Sequence, residues 1–265
     1  VSTLYSNLPS SIIFSGIETN FASLSSSISF SSKLEENKNL SLAPNQNFKI
    51  GGSLESKISL NFFAAQNSNF SGASLVLSSL TGDVFSSIKI GSVVFSGCYL
   101  ENLSVEIVPF SPVIMTADFI CLKTIDSNGL SPSTALASSP ESGSGICYGH
   151  NITSFNDTLL TNTKESLSYK VSCNRTPVYT LGNVDATSCF LDSVVKEISI
   201  KSDNIKQFIN YQSYGDILSV NLNTELPQTL GTISFSSASK IVSQNLSISS
   251  EDVLAGQVTL REIVL

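Results

Sequence analysis

Residues 25–32 read Ser-Ser-Ser-Ile-Ser-Phe-Ser-Ser. The two apolar side chains, Ile28 and Phe30, stand two apart, and serine occupies every other place. A period of two is the mark of a strand with one buried face. The same texture recurs at Lys57-Ile58-Ser59-Leu60-Asn61, Val93 to Ser96, Leu103 to Ile107, Glu197 to Ile200, Leu218 to Leu222 and Leu246-Ser247-Ile248. Serine is a weak strand former beside threonine. Its use on outward faces calls for small, uncharged, hydrogen-bonding side chains. A face packed closely against another chain asks for that, and so does a composition bias of the source organism.

The chain has 265 residues, room for one large β domain or two of about 100–130 residues. A hydrophobic share of 41% supports a real core, while charged residues make up only 13%, about half the usual share. The net charge of −7 comes with no Lys/Arg cluster. That argues against tight binding to a phosphate backbone and is compatible with DNA sliding past. No apolar run reaches the length of a membrane span. The first residues, VSTLYSNLPSS, have neither a basic n-region nor an apolar h-region, so no signal peptide is expected there. The five cysteines, Cys98, Cys121, Cys147, Cys173 and Cys189, are odd in number and widely spaced. They are expected to be mostly buried free thiols, with one or two bridges as the alternative.

The chain also resembles itself. Ser27-Ile28-Ser29-Phe30 matches Ser166-Leu167-Ser168-Tyr169, and Lys57 to Leu60 matches Glu197 to Ile200. Gly82 to Ser86 matches Gly215 to Ser219, and Gly91 with Phe95-Ser96 matches Gly231 with Phe235-Ser236. Asn102 to Val105 matches Asn245 to Ile248. Thr116, Ile120 and Leu122 match Thr259, Ile263 and Leu265. Collinear matches of this kind indicate a repeated unit. Each unit is expected to hold two strands (27–33 and 48–63 in the first), a short helix and three further strands. The helix is placed near 72–80 in the first copy, and from Ser202-Asp203 to Gly215 in the second. The expected fold is all-β with one short helix per unit, two tandem β-sandwich or barrel domains. The boundaries are 1–123, including an N-terminal arm, a linker or insertion at 124–165, and 166–265.

Catalytic signals are sparse. His150 is the single histidine, no G-x-S-x-G elbow accompanies it, and Cys147-Tyr148-Gly149-His150 is at most half of a zinc site. Glu35-Glu36 and Glu251-Asp252 are adjacent carboxylates, which on a strand point to opposite faces. No cofactor, no metal and no enzymatic activity are expected. The loops carry the remaining signal. The polar stretch 35–47 contains Glu35, Glu36, Asn37, Lys38, Asn39, Pro44 and Asn45, and its counterpart, 174–188, contains Arg175, Pro177 and Tyr179. Loops of this length usually have a role. The role expected here is contact with a neighbouring subunit, the alternative being a floppy hairpin loop.

In pattern and texture, the run FSGIETNFASLSSSISFSSKLEENKNLSLAPNQNFKIGGSLESKISLNFF resembles the tail tube proteins of tailed bacteriophages. The resemblance spans roughly residues 12–122 and 166–265. It implies a β-sandwich or barrel flanked by a helix, with sheets joined edge to edge in rings that stack. By that likeness, Leu34 to Phe48 would reach the adjacent ring, as would an arm at Val1 to Ser15. DNA would pass through the channel without specific binding. The implied partners are further copies of the chain, as trimeric pseudo-hexameric or hexameric rings, together with other tail and baseplate proteins, and no membrane. The implied location is the virion, after synthesis in the host bacterial cytoplasm. A baseplate hub, a capsid decoration protein and a secreted adhesin-like pair of sandwiches are the alternatives.

Overall fold

The computed structural model describes residues 10–36, 48–65, 71–79, 86–91, 93–123, 145–151, 154–156, 164–202, 217–218, 222–226, 231–235, 239–248 and 254–264. A short hairpin opens the described chain, β1 (Ser10–Phe14) and β2 (Ile17–Asn20). Ser15 and Gly16 both have positive φ at its turn, the geometry that matches the twist of a two-residue hairpin. The long hairpin of β3 (Ala22–Glu36) and β4 (Phe48–Phe63) follows, then helix α1 (Gly72–Ser79). Gly72 is obligatory there, because a Cβ would lie 2.6 Å from the Phe21 ring. Ala73 and Val76 turn the helix's apolar face inward. Three strands complete the first half, β5 (Ser86–Ile90), β6 (Val93–Ile107) and β7 (Ile114–Cys121).

After a 3-10 turn at Gly149–Asn151 come β8 (Ser154–Asn156) and a second long hairpin, β9 (Lys164–Val178) with β10 (Ser188–Ser202). The remaining strands are β11 (Ile217–Leu218), β12 (Leu222–Leu226), β13 (Gly231–Phe235), β14 (Ser239–Ile248) and β15 (Leu254–Val264). The all-β class with a short helix is therefore as expected. The described strands form one open 12-stranded antiparallel sheet and a three-stranded sheet, β13-β12-β8. The large sheet is open and does not close into a barrel.

Strand β6 organises the large sheet because it forks it. One edge pairs with β7 from Cys98 to Glu106. The opposite edge pairs with β5 over Val93–Cys98 and with β9 over Asn102–Ile107. The fork coincides with two irregularities. Gly97 adopts φ +63° at the bulge opposite β5, a conformation that suits glycine. A second bulge falls between Leu100 and Asn102. Through β9 the sheet continues to β10, β15, β14 and β11. One core cluster spans the join, from Phe62, Phe95 and Phe119 to Tyr169, Ile198 and Leu260.

The two halves repeat one strand order. The first runs β3-β4-β7-β6-β5 and the second β9-β10-β15-β14-β11. A lateral row fixes the correspondence. Ile28, Ile58, Phe119 and Leu100 face one another across β3, β4, β7 and β6. Tyr169, Ile198, Leu260 and Ile241 do so across β9, β10, β15 and β14. Immediately beyond each row lies a bulge, between Leu100 and Asn102 in β6 and between Ile241 and Ser243 in β14. The rows place Ile28 with Tyr169, where the sequence matches place it with Leu167. They also place Asp118, not Thr116, with Thr259. A slip of two residues keeps the same face inward, so alternation alone cannot detect it.

Two further expectations change. Glu35 and Glu36 are not loop residues, since they pair with Lys49 and Phe48 at the end of the β3–β4 hairpin. The backbone ladder simply extends past the apolar alternation. Within 174–188, strand β9 continues to Val178, which leaves a shorter connection of 179–187. In the linker segment, 145–151 is tied to the first half. Cys147 N–H donates to Ala64 O at 2.8 Å, and Val113 N–H donates to Cys147 O at 2.8 Å. The second helix expected from Ser202 to Gly215 lies almost wholly outside the described residues, and its first residue, Ser202, ends β10.

Candidate assembly surfaces

Strand edges are where an unfinished sheet meets its surroundings. Among the described residues β3 pairs only with β4, and β2 only with β1. These two edges differ in chemistry. On β2, Glu18 accepts from Ser11 Oγ at 2.7 Å and pairs with Lys89 Nζ at 3.0 Å. Those hydrogen bonds, with the Lys89 charge, hold the Glu18 carboxyl below its ordinary value. A charge on an edge discourages pairing with a further strand. Over residues 22–32 the β3 edge has no such guard, since that stretch carries no charge; Lys33, Glu35 and Glu36 fall at its far end. Phe30 is 59% exposed, although its ring lies 6.4 Å from that of the buried Phe95. Near the start of β3, the Ser10 and Ser23 hydroxyls are hydrogen-bonded.

The sequence-predicted loop residues divide into three groups. Glu35 and Glu36 sit in β3, as above. Asn37, Lys38, Asn39, Pro44 and Asn45 lie outside the described residues. Arg175, Pro177 and Tyr179 belong to or follow β9, and the structure uses Arg175 inside the chain. Its Nε donates to Leu100 O at 2.9 Å and its guanidinium lies 5.3 Å from the centre of the Tyr99 ring. Arg175 thus bolts β9 to β6 beyond the last main-chain pair. Pro177 stands opposite Cys189 in the β9–β10 ladder. Tyr179 begins the connection that folds back over the first half, where Ala186 N–H donates to Leu122 O at 3.1 Å. Ala186 and Cys189 pack there with Leu122, Tyr99 and Ile120. The tip carries what sequence reasoning missed. Leu181 is fully exposed and Val184 is more than half exposed. Isolated apolar residues in a loop give no periodic signal, so alternation could not find them.

No cluster of metal-ligating side chains occurs among the described residues. Cys147 is buried, and that burial pushes its thiol up to about 11. His150 instead stacks on the exposed Phe110, ring centroids 5.5 Å apart. Gly149 permits this close packing, since a Cβ there would meet Val108 O at 2.2 Å. A cleft of about 370 Å³ lies beside β9 and β10, lined by Glu101, Cys173, Arg175 and Asp192 among others. Its charged groups are held by neighbours. Glu101 pairs with Lys57 at 3.1 Å and Asp192 accepts from Thr176 Oγ1 at 2.6 Å. Cys173 and Cys189 are buried free thiols, as expected, like Cys147. Cys98 and Cys121 are not, because the β6–β7 register sets them opposite each other and they form a disulfide.

No helix among the described residues is long and apolar enough to cross a membrane. Compared with protein-family models and with curated proteins, the chain matches none.

Proposed function

We propose that this chain is a structural virion protein that assembles into stacked rings and forms a phage tail tube. Its partners would be further copies of itself and the tail and baseplate proteins that cap the tube. Each chain would contribute two units, so three chains make a ring of six. One observation carries the self-assembly reading. The two halves of the sheet already join edge to edge inside the chain, at β6 and β9, while among the described residues β3 has a second long edge that is open and, over residues 22–32, uncharged and rich in serine. Open edges of this kind are uncommon in proteins that stay monomeric. The low charge and net −7 suit a conduit that DNA traverses without adhering. No catalytic role is assigned.

A second reading has its own observation. The buried Cys98–Cys121 disulfide is the kind of bond that persists in oxidising compartments, which favours a secreted adhesin-like module. Negative-stain electron microscopy of concentrated protein, with a mass measurement in dilute solution, separates the two. Hollow tubes or rings support the structural reading. A monomer at every concentration overturns it in favour of the secreted module.

A further inference from the structure

We infer that the open β3 edge is the docking site for the C-terminal half of β14 of a second copy of this chain, in the register that β9 makes with β6. The inference rests on the self-assembly reading and names its joint. The lateral rows and bulges make β9 the counterpart of β3 and β14 the counterpart of β6. In the first half, the beginning of β6 is occupied by β5 and its end by β9. In the second half, the beginning of β14 is occupied by β11, at Ser239 and Lys240. Its remaining length pairs with β15 on one side only, among the described residues. Among the described residues, the second half thus lacks a partner where the first half has β9, and the first half carries a counterpart of β9 with a free edge. A second copy supplies both.

The register transfers residue by residue. Inside the chain, Val105 faces Tyr169 and Ser104 faces Lys170. Their counterparts put Leu246 of one copy opposite Ile28 of the next, and Asn245 opposite Ser29. Ser243 and Ser247 then face Ser31 and Ser27. Residues 241–248 carry no charge, like 22–32. The internal joint, by contrast, includes Glu106 and Lys170. Main-chain pairing supplies the attraction, and small hydroxyl and amide side chains let two such edges approach without desolvating an ion. The serines of 25–32 are, on this account, the surface of a joint. The contact is heterologous, β3 against β14, so it closes into rings or runs on as a filament.

Cysteine pairing tests the joint. Ser29→Cys and Asn245→Cys variants are prepared singly, mixed while dilute, concentrated and oxidised. The parent chain, whose three free cysteines are buried, gives the background, and circular dichroism checks that each variant folds. A covalent dimer in the mixture, and in neither variant alone, is the expected result. A dimer from Ser29→Cys alone would mean two β3 edges pair with each other and would overturn the inference. So would rings on the grid with no covalent dimer in the mixture, which leaves the tube reading intact. A monomer by mass at all concentrations removes both.

Discussion

Strands β3 and β9 occupy the same place in two halves of one sheet, yet they live in different surroundings. Tyr169 and Val171 of β9 are 6% and 1% exposed, whereas Phe30, the counterpart of Val171, is 59% exposed. Nothing in the alternation of the two strands announces this. The difference is the neighbour, since β9 has β6 along its second edge and β3 has none among the described residues. Burial in a sheet belongs to the pair of strands as much as to the sequence of either.

The sharpest way to break that comparison is to place the same charge in both strands. Val171→Lys puts an unpaired ammonium into the core and should destabilise the fold by about 3–5 kcal/mol, read by urea denaturation. Phe30→Lys should cost about 1 kcal/mol or less, the usual range for an exposed site. It should nevertheless abolish rings at concentrations where the parent forms them. Equal destabilisation by the two changes would show that the β3 edge is already part of a closed core.

A second contrast concerns a staple. The positions in β14 and β15 that answer to Cys98 and Cys121 are Ser239 and Glu262, so only the first half is cross-linked. Replacing both cysteines by serine should lower stability by about 3 kcal/mol, the loop-closure value for a separation of this order. Calorimetry reads it. If hydrogen exchange then shows the first half opening as readily as the second, the disulfide accounts for the asymmetry between them.

These contrasts also show what the sequence could and could not reveal. The strands at 27–33 and 48–63 and the helix near 72–80 were legible because alternation and a glycine boundary are local signals. The repeat was legible as an order of matches, and the match of Ile58 with Ile198 has the right register, but those at Ile28, Asn102 and Thr116 were off by two, a shift that preserves every inward face. Bulges after Leu100 and Ile241 set the true register, and they have no local signature here. The disulfide was hidden for the same reason, because it depends on which residues the bulged strands bring opposite. Arg175 was singled out for contact with a neighbouring subunit, whereas the structure engages it inside the chain, with Leu100 O, 75 residues away in sequence, and the Tyr99 ring beside it. Arg175→Lys should cost about 1 kcal/mol, since an ammonium cannot reproduce the planar stack and the fixed Nε bond together. It should loosen the β6–β9 joint without affecting the open β3 edge.

The smallest effect tests the difference between the two open edges. Glu18 guards β2 through Ser11 and Lys89, and its folded carboxyl titrates below the unfolded one. A lowered value means that its contribution to stability is fully present above the unfolded pKa, near 4.5. That contribution is lost as the pH falls through the folded value. The group is largely solvated, with 45% of its side chain exposed, so the contribution should stay below about 0.5 kcal/mol after screening. Glu18→Gln should therefore flatten the acid limb of the stability curve slightly and leave ring formation unchanged, because a guarded edge is not a joint. If instead this variant assembles into larger sheets, or stops forming rings, then β2 takes part in assembly and the division between a protected edge and a docking edge fails. Light scattering across pH 3–6, on Glu18→Gln and the parent side by side, decides between these outcomes.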